Sequence, residues 1–160
     1  MSYTIIEYDN FGKKIEELNC ILPSTLSFLP ENFDEVKISD EFIYADSITD
    51  IKKIFRLNKI PTEFVNDKVP KYRAKRNADW FGPAFFIGFS ILTENDQLIT
   101  IALNVLSNYI TDLFKGSFTA KKAKLDIIIE ISKNKEFRKI TYEGSPEGLK
   151  DLDKVIKSLK

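Results

Sequence analysis

The apolar positions of the last third of the chain change rhythm twice. In KLDIIIEIS (124–132), Leu125, Ile127, Ile129 and Ile131 point one way while Asp126, Ile128, Glu130 and Ser132 point the other, the period-two pattern of a strand. A polar turn holding Asn134 follows, and Phe137 to Glu143 returns with Arg138, Ile140 and Tyr142 on one face, which predicts a β-hairpin. Ser145-Pro146-Glu147-Gly148 then supplies a cap, a first-turn proline and an early acid, and Leu149, Leu152, Val155, Ile156 and Leu159 form the stripe of an amphipathic helix.

Upstream, the 32 residues from Trp80 to Thr111 hold no ionisable side chain besides Glu94, Asp96 and Tyr109. In a chain with 30% charged residues such a run must be covered. It predicts a helical hairpin. The first helix starts at Pro83, after Gly82, and runs to Leu92. The second runs from Glu94 to Lys115, with Thr93 and Asp96 as a capping pair and Gly116 as the left-handed residue that closes it. At 100° per residue, Leu98, Ile101, Ala102, Val105, Leu106, Tyr109, Ile110 and Leu113 share an apolar face of that second helix, widened by Ile99, Leu103 and Phe114. Thr100, Asn104, Ser107, Asn108 and Thr111 form an uncharged polar strip beside it, which predicts cover on most sides and bonded side chains. A membrane hairpin is argued against by length: each half offers about 14 residues, about 21 Å of helix, against a hydrocarbon core of about 30 Å.

In the N-terminal half, Tyr3 to Tyr8 reads as a strand and Phe11 to Leu18 as a short helix. Cys20 to Phe33, with Pro23 and Pro30, reads as an irregular connection too apolar to leave the core. Val36–Ser39 and Glu41–Tyr44 are short strand candidates. A helix opens at Ser47, with Asp50 as its capping partner, and Pro61 ends it before a strand at Thr62–Val65. The chain is thus expected to form one α+β domain over 1–160, a central helical hairpin packed on a small, mainly antiparallel sheet, with the C-terminal β-hairpin followed by an amphipathic helix. Its parts are an acidic half (1–67), a basic connector (68–80), the apolar hairpin (81–116) and a ββα unit (121–160).

Charge modifies this picture. The formal net charge is +0, yet residues 1–67 carry 7 basic and 13 acidic groups against 17 and 11 in the remainder, as expected of an acidic part docked on a basic part. One cysteine, Cys20, precludes an internal disulfide, and with no recognisable signal sequence in MSYTIIEYDN the cytoplasm is the expected location. With no histidine, no Ser-His or Cys-His nucleophile can be assembled. No cofactor or metal site is expected, and an enzyme would have to work with carboxylates, lysine and tyrosine.

Two functional classes follow. The leading one is a non-enzymatic interaction or adaptor module whose partner, another protein or a second copy, meets Asn104, Ser107, Asn108 and Thr111 on the central helix. The other is a nucleic-acid or phosphate binder using Lys68, Lys71, Arg73, Lys75 and Arg76, with Lys121, Lys122 and Lys124, where basic groups adjoin aromatics. Asp126 and Glu130, joined by Lys139, loosely echo a nuclease hairpin, but Glu130 and Lys133 lie three apart where that pattern needs two, so a solvated face of charge pairs is expected.

The long apolar helix ending at Lys115-Gly116, the basic spacer, the hairpin KLDIIIEISKNKEFRKITYEG and the closing SPEGLKDLDKVIKSL together resemble the effector-associated constant component of bacterial conflict and immunity systems. The likeness covers residues 97–160. It implies an adaptor that couples effectors to partners, and it carries no catalytic residue.

Overall fold

The computed structural model describes residues 2–74, 80–116 and 121–160, with the side chain of Phe81 set aside. In chain order the elements are β1 (Ser2–Glu7), α1 (Asn10–Glu17), β2 (Leu26–Leu29), a 3-10 turn (Ser39–Glu41), β3 (Tyr44–Ala45), α2 (Ile48–Leu57), β4 (Thr62–Phe64), β5 (Tyr72–Arg73), β6 (Trp80–Phe81) and β7 (Ala84–Ile87). They continue with α3 (Phe89–Glu94), α4 (Gln97–Phe114), β8 (Ala123–Ser132), β9 (Glu136–Gly144), a second 3-10 turn (Glu147–Asp151) and α5 (Leu152–Lys157).

The fold is α+β. The alternating run in β8 pairs with β9 as an antiparallel hairpin, Ile127 opposite Ile140 and Leu125 opposite Tyr142. The sheet grows outward from this pair in the order β1-β9-β8-β7-β2-β4, with β6 also beside β8. The longest ladders, β8/β9 and β1/β9, are antiparallel, while β7 and β6 join β8 in parallel. Pleating sends Leu26, Phe85, Ile87 and Ile127 to one face, where they meet Phe55 of α2, Ile91 of α3 and Ile99, Ala102, Leu103 and Leu106 of α4. On the other face Phe86 stacks on Phe11 of α1 at 5.3 Å, and Phe11 also meets Phe33 at 5.0 Å and Phe137 at 5.2 Å. The buried apolar residues form one cluster running from Phe11 to Ile156.

The apolar run at Trp80 divides differently from the expected helical hairpin. Its helical pair is α3 and α4, and α3 begins at Phe89, not Pro83. Ala84–Ile87 is instead a strand between β8 and β2, because Phe85, Phe86 and Ile87 have apolar partners on both sheet faces. A short continuous apolar run does not distinguish a buried strand from a buried helix by periodicity.

The irregular connection likewise contains β2, buried along its whole length, since Leu26, Phe28 and Leu29 must pair their backbones to be covered. The strand expected at Val36–Ser39 does not form, and the second candidate shortens to Tyr44–Ala45 behind a 3-10 turn. Neither Ser47 nor Asp96 makes a side-chain cap bond. Thr93 turns its hydroxyl back to the Phe89 carbonyl at 2.9 Å, and Lys160 holds the Asp96 carboxylate at 2.5 Å. Gly116 does adopt the left-handed conformation expected of it, at φ 79°. Among the described residues no helix is long and apolar enough to cross a membrane.

Candidate interaction surface

The polar strip of α4 divides in two. Ser107 is buried and donates to the Pro146 carbonyl at 2.8 Å; Thr111 reaches Glu147 at 3.4 Å; Thr100 donates to Asp153 at 2.9 Å and accepts from Lys157 at 2.7 Å. These three residues lock α4 to the closing 3-10 turn and α5. Asn104 and Asn108 face outward instead, together with Ile101 and Leu113, 46% and 48% exposed, which the helical wheel placed on the apolar face. The seam is therefore satisfied within the chain, and its outer edge is a mixed patch of asparagine and aliphatic side chains.

The described lysines among the basic candidates are tied to acids, backbone or an aromatic ring. Lys68 pairs with the Asp40 carboxylate, and Lys71 donates to the Asp40 carbonyl at 3.2 Å. Within the expected connector, Tyr72 and Arg73 form β5 beside β3, with the Arg73 side chain exposed. Lys75 and Arg76 lie outside the described residues. Lys121 sits over the Phe114 ring at 5.8 Å, while Lys122 and Lys124 approach Glu143 at 3.6 and 3.9 Å.

On the sheet face shared with α1, a polar cleft of about 190 Å³ opens over β8 and β9. Lys139 lies 3.9 Å from Asp126 and 5.3 Å from the centre of the Tyr8 ring, and Tyr8 donates its hydroxyl to Asp34. Burial first, and the Asp34 carboxylate second, push the Tyr8 pKa well above the ordinary phenol range, so the ring stays neutral. Glu130 accepts the Phe89 backbone N–H at 2.9 Å and so serves the start of α3. The carboxylates of β8 are thus pair and support residues. Among the described residues no group of three or more Cys, Asp or Glu side chains is placed to hold a metal ion.

The feature that sequence reasoning missed is the outer edge of β1. Among the described residues only β9 flanks this strand, and all six of its residues are exposed, with Tyr3 and Ile5 at 39% and Ile6 at 52%. Tyr8 donates its backbone N–H to the Phe137 carbonyl at 3.0 Å, and in an antiparallel ladder bonded pairs alternate. Ser2, Thr4 and Ile6 therefore turn their backbone groups toward β9, while Tyr3, Ile5 and Glu7 turn theirs outward. Natural edges are usually guarded by lysine, proline, a bulge or shortness. In β1 the one charged guard is Glu7, whereas the opposite edge, β4, is a three-residue strand. No sequence periodicity could reveal this, because alternation shows which side chains share a face and not which strand lies outermost.

Comparison with protein-family models, curated proteins and solved structures found no match.

Proposed function

We propose that this chain is a protein-interaction module that receives an extended partner segment along the free edge of β1. A single observation carries this: six exposed edge residues with outward backbone donors and acceptors at Tyr3, Ile5 and Glu7 and almost no edge protection. Strand addition supplies affinity through main-chain hydrogen bonds and selectivity through side chains alternating across the new strand. Tyr3 and Ile5 offer apolar contacts on one face and Ile6 on the other. The outward patch of Ile101, Asn104 and Asn108 on α4 provides a second surface for a larger partner. The likeness of residues 97–160 to the effector-associated constant component supports an adaptor role in a bacterial defence system, and the partner is then another protein of that system or a second copy of the chain.

Selection of displayed peptides against the intact chain, with sedimentation for self-association, tests the edge. Bound segments should slow hydrogen exchange at the Tyr3, Ile5 and Glu7 amides, and Ile5→Pro, which deletes an outward donor without touching the β9 ladder, should abolish binding. Ligands or self-association insensitive to Ile5→Pro, or protection confined to other elements, would refute strand addition.

A further inference from the structure

The outward backbone groups of β1 belong to Tyr3, Ile5 and Glu7, which are evenly spaced about Ile5. Two copies of such an edge can meet about a twofold axis, which makes their strands antiparallel and the contact identical on both sides. In an antiparallel ladder an outward residue must face an outward residue, since only such pairs exchange both main-chain bonds. Three twofold registers pair more than one outward residue of each copy. With the axis at Thr4, Tyr3 meets Ile5 of the second copy and Glu7 falls opposite residue 1, beyond the strand. With the axis at Ile6, Ile5 meets Glu7 and Tyr3 falls opposite Asp9, which caps α1 and accepts the Phe137 N–H at 3.0 Å. With the axis at Ile5, Ile5 meets its own copy and Tyr3 meets Glu7. That register alone uses every outward donor and acceptor of both strands.

The side chains agree with the same register. Glu7, the one charge of the strand, faces Tyr3 and never another Glu7, so no like charges oppose. Ile5 lies against Ile5 on one sheet face, and Thr4 lies against Ile6 on the other. Tyr3, Ile5 and Ile6 put three exposed large apolar side chains into one six-residue strand, and this pairing covers all of them. The formal net charge of the chain is +0, so copies do not repel at long range, a condition that favours self-association.

We propose that β1 pairs with β1 of a second copy, antiparallel and in register about Ile5, so that the two sheets become one continuous sheet. This inference rests on the reading of β1 as an edge for strand addition, and it commits that edge to one occupant. A ladder this short is smaller than a standard interface, so the dimer is weak and depends on concentration.

Sedimentation of the full chain over a range of concentrations, with amide exchange read at each, tests the pairing without altering the protein. The Tyr3, Ile5 and Glu7 amides should slow together as the dimer fraction rises. Slowing of Tyr3 and Ile5 alone would mean the Thr4 axis, and of Ile5 and Glu7 alone the Ile6 axis; either overturns the register. Single cysteines in a Cys20→Ala chain give a second reading. Ile5→Cys by itself, and Tyr3→Cys mixed with Glu7→Cys, should cross-link on oxidation, because facing Cα atoms about 5.5 Å apart are within disulfide reach. Tyr3→Cys alone and Glu7→Cys alone should not, being four residues, about 13 Å, out of step with themselves. Cross-linking of Tyr3→Cys with Ile5→Cys, or of Ile5→Cys with Glu7→Cys, in preference to these would also overturn the register. A chain that stays monomeric at every concentration overturns the inference and leaves strand addition by other peptides standing. Self-association that leaves the β1 amides unprotected, or that survives Ile5→Pro, overturns both.

Discussion

Ser107 and Asn108 are adjacent on one uncharged strip, yet their environments are opposite. The Ser107 hydroxyl is buried against the Pro146 carbonyl, which also accepts the Leu149 N–H, so Ser107→Ala removes one buried hydrogen bond and should cost about 0.5–1.5 kcal/mol. Asn108 is exposed, and Asn108→Leu should change stability by no more than about 0.5 kcal/mol. Urea denaturation of both, beside Lys154→Leu as an exposed control, checks this, and equal effects would contradict the division of the strip. Lys157 is unsuitable as a control because its ammonium bonds Thr100 and Asp153. The tyrosines give a second prediction. Burial first, and then the Asp50 carboxylate, push Tyr109 from 10.0 to about 12, and Tyr8, Tyr44, Tyr72 and Tyr142 are also raised. A raised phenol keeps its proton in the folded chain after the unfolded chain has lost it. The stability it contributes is therefore complete below about pH 10 and declines as pH rises toward the folded value. Melting temperature followed with tyrosinate absorbance should fall through that window, and Tyr109→Phe should flatten part of the slope. A flat profile would reject this coupling.

At the level of elements, α1 depends on its packing. It has eight residues, too few to persist alone in water, and it is held by Phe11 among Phe86, Phe33 and Phe137. Gly12 allows the close approach: a Cβ there would lie 2.9 Å from the Phe137 ring. Phe11→Ala should cost about 3–5 kcal/mol and speed hydrogen exchange across α1 before the β8/β9 amides respond. Simultaneous loss of protection in both would mean that α1 is not a separate packing unit. The contrast between β7 and α4 follows from length. Eighteen residues of α4 carry a helical stripe through about five turns, whereas four residues of β7 carry no period at all.

Across the whole molecule, ion pairs join residues 1–67 to the remainder, Glu16 with Lys135 at 2.7 Å, Asp9 with Arg138 at 3.8 Å, and Asp40 with Lys68, while others, such as Lys157 with Asp153, lie within the C-terminal part. Such surface pairs contribute little, about 0–1 kcal/mol each. The assembly surface we propose lies elsewhere, at the β1 edge. Should a second copy occupy that edge, the melting temperature will rise with protein concentration, and Ile5→Pro will remove the dependence while leaving the dilute melting temperature nearly unchanged. Concentration dependence that survives Ile5→Pro would refute strand addition at β1 and place self-association on another surface, such as the outward patch of α4.

The α+β class, the β8/β9 hairpin, the long helix and the amphipathic closing segment were legible in the sequence because each repeats a local period over enough residues to exclude the alternative. The rest depended on partners distant in the chain. Whether Phe85 and Phe86 join a helix or a strand is settled by apolar surfaces on both sides of the sheet, supplied by residues from Phe11 to Phe55. The division of Ser107 from Asn108 required the Pro146 carbonyl, 39 residues away. The candidate edge was the least legible of all, because an edge exists only in the order of strands. Local sequence determined which side chains share a face; the tertiary structure alone decided what that face meets.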